Sequence, residues 1–491
     1  MKPRRSLPDG WAWADFDEVA TIRSNLVDPK TCPDAAHIAP NHIESGSARL
    51  LSYATVSDDG VTSNKHRFHP GQILYSKIRP YLAKVVLVDF GGVCSADMYP
   101  VEPRIEPRYL LRWLVSPEFT EFASRSQGRT VLPKINQNAL NRTSVPVPPL
   151  REQWRIADKM EALLGSSRRA KEALDAIPPL LERFRQSVLA AAFRGDLTAD
   201  WRAQNPDVEP IAKVVSRVDV KPPRGGRSAT IAVRPGLSAL SVGLPEDRRV
   251  PPGWQWVPLS SVARLESGHT PSRRHPEYWD GPIRWVGIVD ARDSHGRRLM
   301  NTYQTITKAG LDNSSARLLP ANTVCLVRTA ASIGYVTILG SEMATSQDLV
   351  NWVCSEAIVP EYLMYLLIAE KESILSFGKG SAHRTVYYPE VKAFHVCLPP
   401  VAEQREIVRH VEEKLAALER LSRAFAYAQR TRDHLEPSIL AKAFRGELVP
   451  QDPDDEPASV LLERIRAVTK PTTSRGKKRS SSRSHKATWS S

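Results

Sequence analysis

The chain has 491 residues, 41% of them hydrophobic and 25% charged, with 68 Lys or Arg against 54 Asp or Glu and a formal net charge of +14. That length is too great for one core and implies two to four domains, while the basic balance favours an anionic partner. No apolar run approaches the length of a membrane span. The five cysteines, Cys32, Cys94, Cys325, Cys354 and Cys397, stand singly without a CxxC pair, which argues against a zinc site and for a reducing cytoplasm.

The chain opens with residues 7–20 (LPDGWAWADFDEVA), which match residues 250–263 (VPPGWQWVPLSSVA) at an offset of 243. Each half therefore begins with a Gly and two Trp (Trp11 and Trp13; Trp254 and Trp256), expected to anchor the first strand of a domain on its core. Strands are expected over residues 72–78 and 84–88 of the first half, and over 323–328 and 335–339 of the second, with turns at Pro70-Gly71, Gly91-Gly92 and Gly334. A helix then starts at Pro107 or Pro360, where proline is tolerated in a first turn, and each helical stretch ends at Gly128 or Gly378. His66 and His69 flank a turn, have no carboxylate motif beside them, and read as surface residues.

Residues 148–197, from PPLREQ to SVLAAAFRGDL, recur without a gap at residues 399–448, from PPVAEQ to SILAKAFRGEL, at a constant offset of 251. A repeat that keeps its length while its middle diverges implies a rigid frame built twice. In the first copy Ile156, Met160, Leu163, Ser167, Ala170, Leu174, Ile177, Leu181, Phe184, Val188 and Ala191 follow a heptad alternation. The second copy keeps that seam with Lys414, Arg432 and Lys442 as basic interruptions, whose stems can cover apolar surface. A kink or short break is expected at Pro178-Pro179 and at Pro437, and Gly195 and Gly446 are the natural C-caps.

Each seam needs a partner, and the two copies can supply one another. An antiparallel pair puts the two domains at opposite ends of a rod about a pseudo-two-fold axis, and a parallel pair, the second choice, puts them at one end. Between the halves, residues 199–249 read as a Pro/Arg-rich linker long enough to let the second domain travel. This linker begins with NPDVEP (205–210), which resembles DPDDEP (452–457). Residues 470–491 carry seven Lys or Arg and no Asp or Glu, leaving +7 on the rest of the chain; they read as a disordered basic tail.

Catalytic signatures are missing: there is no GxxxxGK[ST] loop, GxGxxG, HExxH or amino-methyltransferase Asp/Asn-Pro-Pro-Tyr/Phe tetrapeptide, and Glu412 and Lys414 lie within the heptad helix. The basic loops are more informative. SKIRPYLAK (76–84) places Lys77, Arg79, Tyr81 and Lys84 around a turn, and GRTVLPKIN (128–136) adds Arg129, Thr130, Lys134 and Asn136. GKGSAHRTVYYP (378–389) supplies Lys379, His383, Arg384, Thr385 and Tyr387, so an Arg-Thr-Val triplet occurs in both halves. Arg273, Arg274, Arg328, Thr329 and Ser332 complete the candidate DNA contacts of the second half. Arg and Asn side chains can read base edges, while Lys, Ser and Thr hold phosphates.

Taken together, PPLREQ with SVLAAAFRGDLT, PPVAEQ with SILAKAFRGELVPQDPDDEPASVLLERI, and the stretches GQILYSKIRPYLAKV, LVRTAASIGYV and TSQDLVNW resemble the specificity subunit of type I restriction-modification systems over nearly the whole chain. The residues themselves indicate an α+β architecture: two globular domains of mixed helix and twisted sheet, with two long helices paired as an antiparallel coiled coil. The corresponding division is target recognition domain 1 (1–147), helical region 1 (148–198), linker (199–249), recognition domain 2 (250–398), helical region 2 (399–449) and a C-terminal segment (450–491).

The resemblance implies a cytoplasmic, non-catalytic subunit in which each domain reads one half of a bipartite, asymmetric site on double-stranded DNA. The helices would set the spacer and dock two methyltransferase (M) subunits, and restriction (R) subunits would join that core. It also implies that S-adenosylmethionine, ATP and Mg belong to the partner subunits and that no cofactor binds this chain. The alternatives are a coiled-coil scaffold for RNA or protein and a single-chain restriction-methylation enzyme.

Overall fold

The computed structural model describes residues 5–125, 133–221, 240–242, 250–378 and 384–469. Two compact units divide the chain, Met1–Asp175 with Ala426–Ser491, and Ala176–Phe425. Each unit thus combines a globular domain, the start of the helical copy that follows it, and the end of the other copy.

In the first unit Ala12–Asp15 pairs antiparallel with Ser144–Val147, which closes the domain by bringing its first and last strands together. Ala20–Ile22, Met98–Pro103, Ile73–Ser76 and Val85–Leu87 form a four-stranded antiparallel sheet in that order. A mixed five-stranded sheet orders Leu26–Val27, Lys65–Phe68, Gly92–Cys94, Ala36–Ile38 and Ala54–Thr55, with the Gly92–Cys94 and Ala36–Ile38 strands parallel. His66 lies buried in the second of these strands and burial lowers its pKa, so the surface position expected for it is wrong. Its neighbours Lys65 and Phe68 are buried as well, which no turn-flanking pattern signals.

The second unit repeats the plan. Gln255–Pro258 pairs with Phe394–Leu398, and Ala263–Ser267, Leu349–Cys354, Val324–Val327 and Val336–Leu339 form the matching sheet, extended by Arg298–Leu299. Strands Ile73–Ser76 and Val324–Val327, and the starts of Val85–Leu87 and Val336–Leu339, differ by 251. The offset found in the helices therefore already holds within the domains, where residue identity hides it.

The repeated prolines, glutamate and glutamine seat each domain on its helix. Trp11 Nε1 donates to Glu152 Oε2 at 3.0 Å, and Trp254 Nε1 to Glu403 Oε2 at 3.0 Å. Gln153 and Gln404 each donate to the carbonyl of the first repeated proline, Pro148 or Pro399, and accept from a backbone N–H at the foot of the Pro107 or Pro360 helix. These side chains are buried, so the seats are hydrogen-bonded polar networks within the core.

The far end of each copy closes the opposite unit. Phe444 packs edge-on against Tyr109 at 5.4 Å and 69° in the first unit, and Phe193 against Tyr362 at 5.3 Å and 69° in the second. The glycines that follow have φ of +75° at Gly446 and +81° at Gly195, and a Cβ on either would strike Pro8 at 2.5 Å or Pro251 at 2.9 Å. Within the first unit Arg155 bonds Asp455 and Ser167 bonds Glu436, so the two chain segments run antiparallel there.

The first copy is two helices, Leu150–Asp175 and Ile177–Arg194, broken just before Pro178-Pro179, whereas the second is one helix, Val401–Arg445, that carries Pro437 without a break. A single proline costs one hydrogen bond, which the flanking turns absorb; two in succession remove two. The heptad seam is buried at its ends, through Ile156, Met160 and Val188, and through Ile407, Val411 and Ile439. Ala170, Phe184 and Leu421 are exposed, while Ser167 and Leu418 are buried.

The segment read as a free linker is folded in part. Ala199–Gln204 and Ile211–Arg217 are helical, Ile211 and Val214 enter the core of the second unit, and Leu240–Val242 adds a strand to Phe394–Leu398. The helix after NPDVEP has its counterpart in Ala458–Thr469 after DPDDEP, whose Ala458 and Leu462 enter the core of the first unit. The basic tail from residue 470 lies outside the described residues. Among those residues, no helix is long and apolar enough to cross a membrane and no cluster of His, Cys, Asp and Glu could hold a metal.

Candidate nucleic-acid interface

The loop leaving strand Ile73–Ser76 is built around a short 3-10 turn, Pro80–Leu82, bracketed by left-handed residues, Arg79 at φ 46° and Ala83 at φ 45°. Non-glycine residues persist in that region only where surrounding contacts hold them. Here Arg79 N donates to Pro133 O, Ile135 N to Lys77 O, and Gly46 N to the carbonyls of Leu82 and Ala83. The clamp presents Arg79 and Tyr81 to solvent, and Arg79 has no side-chain partner among the described residues.

The remaining candidates of this domain divide by role. The Lys77 ammonium lies 5.3 Å from the Tyr99 ring, and Lys134 Nζ reaches Asp97 Oδ1 at 3.1 Å. Lys84 Nζ is committed to the Pro40 carbonyl at 2.6 Å, and the Asn136 side chain caps the helix Gln137–Asn141 by accepting from Ala139 N at 2.8 Å. Arg129 and Thr130 lie outside the described residues, as do Lys379 and His383 in the second domain.

The second domain repeats part of the clamp, with Val386 N donating to Arg328 O as Ile135 N does to Lys77 O. Lys77 N donates to Asp97 O and Ile78 bridges Lys134; Arg328 N donates to Asp348 O and Thr329 bridges Thr385. Every pair is related by 251. That register aligns Pro133-Lys134-Ile135 with Arg384-Thr385-Val386, while the Arg-Thr-Val triplet at 129–131 lies outside the described residues.

Arg328 is half-buried, its guanidinium donating to the carbonyls of Gln347 and Val386 above the Tyr388 ring, while Thr329 Oγ1 donates to Asp348 Oδ1 at 3.1 Å. Ser332 is half-buried in the turn Ala330–Ser332, and Thr385 is half-buried beside Thr329. Arg384 and Tyr387 are exposed beyond that bridge. Arg273 stacks on Trp279 with 3.5 Å from its guanidinium carbon to the ring centroid and donates to Gln304 at 2.7 Å; Arg274 is exposed beside it. Thr270 donates to Gln347 at 2.5 Å, which ties this loop to the Ser346–Asp348 turn.

The organising residues of both loops escaped sequence reasoning. The backbone N–H groups of Asp97 and Asp348 each donate to the side-chain hydroxyl of a serine two residues earlier, Ser95 or Ser346. Their carboxylates then hold Lys134 or Thr329. The signal was present as CSAD and TSQD at the same offset of 251.

Two α+β domains of one plan, each seated on a helical copy and each clamping a basic loop against its last helix, define a duplicated domain-and-helix protein with cationic loop tips. The sequence model of the type I restriction modification DNA specificity domain matches residues 8–176 and again 251–421. The chain belongs to that family.

It is 48% identical over 203 residues to the Type I restriction enzyme EcoDI specificity subunit of Escherichia coli, covering 41% of this chain and 46% of that one, less than half the relative's length. It is 28% identical over 390 residues to the EcoBI specificity subunit of Escherichia coli, covering 76% and 74%. Over 508 residues it is 25% identical to the StySPI specificity subunit of Salmonella potsdam, covering 94% and 96%. Among solved structures, the HsdS subunit from Thermoanaerobacter tengcongensis superposes with a TM-score of 0.59 at 20% identity, covering 91% of this chain and 99% of that one. A chain from a structural study of complex assembly in the type I R-M system gives 0.64 at 20% identity, covering 90% and 100%. At that identity the likeness establishes the fold.

Proposed function

We propose that this chain is the sequence-specific DNA-binding subunit of a type I restriction-modification complex and is not itself a catalyst. Each domain, 1–147 and 250–398, reads one half of a bipartite, asymmetric site on double-stranded DNA. The duplicated clamp carries this reading: backbone bonds repeated at an offset of 251 join two loop segments in each domain, and exposed Arg79 and Tyr81 flank the clamp on one segment of the first domain while exposed Arg384 and Tyr387 flank it on the other segment of the second. Arginine at such a tip can engage guanine in a bidentate manner, and tyrosine offers a flat apolar face. Lys77, Lys134, Arg273, Arg274, Thr329 and Thr385 would hold the backbone that positions those tips.

The helical copies, 148–198 and 399–449, set the spacer between half-sites and dock two methyltransferase (M) subunits, with restriction (R) subunits joining the complex in the cytoplasm. S-adenosylmethionine, ATP and Mg serve those partners. Co-expression with a type I methyltransferase subunit followed by methylome sequencing tests the proposal. A bipartite methylated motif with a fixed gap supports it; RNA or protein capture without any methylated motif favours a scaffold instead.

A further inference from the structure

The first unit contains a cavity of about 470 Å³, walled by the 44–49 loop, the Pro107–Leu114 helix, the Leu150–Asp175 helix and the end of the Val401–Arg445 helix. Four guanidinium groups face it: Arg49, Arg112, Arg168 and Arg432. Few of their donors are used. Arg49 and Arg168 have no side-chain partner among the described residues. Arg112 makes one long bond, 3.3 Å, to the Ser47 carbonyl, and burial draws its pKa below the ordinary arginine value. Arg432 pairs with the adjacent Asp433, yet its Nε is buried without a partner. An unsatisfied buried donor on a charged group is costly, and native structures rarely leave one without a use.

Carboxylates share the walls, but two of them are engaged: Asp433 by Arg432, and Glu436 by the Ser167 hydroxyl at 3.1 Å. Glu44 and Glu172 are exposed. The repeated frame does not require the arginines. Counted from the helix starts Pro107 and Pro360, Tyr365 stands for Arg112, and along the 251-residue repeat Leu181 stands for Arg432 and Glu419 for Arg168. Arginine has thus been placed here in one unit only, at three positions that the fold can fill with other residues.

We propose that this cavity binds a small phosphate-bearing anion, held by Arg112 and Arg432 from within and by Arg168 and Arg49 at the rim. Planar guanidinium forks match phosphate oxygens in pairs, and several of them around one cavity suit more than a single negative charge. Gly46 of the same wall donates to Leu82 and Ala83, so an occupant would brace the turn that presents Arg79. The phosphate can come from a free phosphorylated compound or from the DNA backbone.

The test is calorimetric titration of the full chain with inorganic pyrophosphate, beside titration with a short duplex at several salt concentrations. Pyrophosphate should bind once per chain, and R112Q with R432Q should weaken it about tenfold or more, as loss of a charge-assisted bond implies. R168Q, an exposed change that leaves the fold intact, should weaken it in the same direction, whereas R409Q in the second unit should not. If pyrophosphate fails to bind but R168Q lowers the salt slope of duplex binding by about one, the phosphate is the DNA's own. Absence of both effects, or binding indifferent to all the cavity variants, overturns the proposal.

Discussion

Trp11 and Glu152 meet through a single 3.0 Å hydrogen bond that leaves the other carboxylate oxygen, Oε1, buried without a partner. The corresponding glutamate of the second unit, Glu403, also accepts from Thr198 at 2.7 Å and from Arg202 at 2.8 Å. In the first unit the repeat puts Val449 where Thr198 stands, and Arg155 turns instead to Asp455. Two seats of one design are therefore wired differently, and they should respond oppositely to the same substitution.

Burial raises the Glu152 pKa to about 7, with Asp455 adding to the push and Trp11 and Arg155 opposing it. A carboxyl whose folded pKa is raised binds its proton more tightly in the native state. Its contribution to stability is complete below the ordinary value of 4.5 and is lost as pH rises through about 7. The first unit should unfold at lower temperature at pH 8 than at pH 6. E152Q should raise the pH 8 transition and flatten this dependence, by about 2–4 °C for each kcal/mol recovered. A calorimetric scan of both proteins at the two pH values checks it.

E403Q should act in the other direction. The Glu403 side chain is fully buried and Arg202 is 19% exposed, so removing the charge strands a guanidinium beside Trp254. Breaking one partner of such a pair costs about 3–5 kcal/mol. Chemical denaturation should show the second unit's transition moved to lower denaturant while the first unit's stays in place.

Phe444 and Phe193 are the plugs by which each helical copy closes the opposite unit. Truncation of such a buried aromatic ring typically costs about 3–5 kcal/mol. F444A should loosen the first unit, and F193A the second, read as new proteolytic cleavage confined to that unit. Cleavage in the wrong unit would mean that the copies do not exchange their ends.

D348N tests the loop clamp without touching a candidate base contact. It weakens the bond that Thr329 donates to Oδ1, so the tip bearing Arg384 and Tyr387 should lose its position. Duplex affinity should fall by about 1 kcal/mol, with base changes discriminated less at one half-site only. R79A should cost about 1–3 kcal/mol at the other half-site, measured by competition between variant duplexes.

Much of this was legible beforehand because it rests on short-range patterns. Strands beginning beside Gln72 and Thr323, helices at Pro107 and Pro360, and caps at Gly195 and Gly446 all follow from periodicity and backbone chemistry. The wiring was less accessible. Lys84 and Asn136 look like loop-tip contacts until the fold brings Pro40 to one and the Ala139 N–H to the other. Asp97 and Asp348 looked ordinary because their partners lie 37 and 19 residues away. The linker was misjudged for the same reason: apolar residues of 199–249 such as Ile211 and Val214 matter only against a core supplied by other segments.

The central claim is that two independent readers share one frame. Replacing residues 8–144 with the corresponding domain of another family member, and sequencing the methylome of cells that also express the methyltransferase subunit, tests it most directly. The account predicts a methylated motif with one half changed, the other half kept and the gap unaltered. A motif changed in both halves would contradict it.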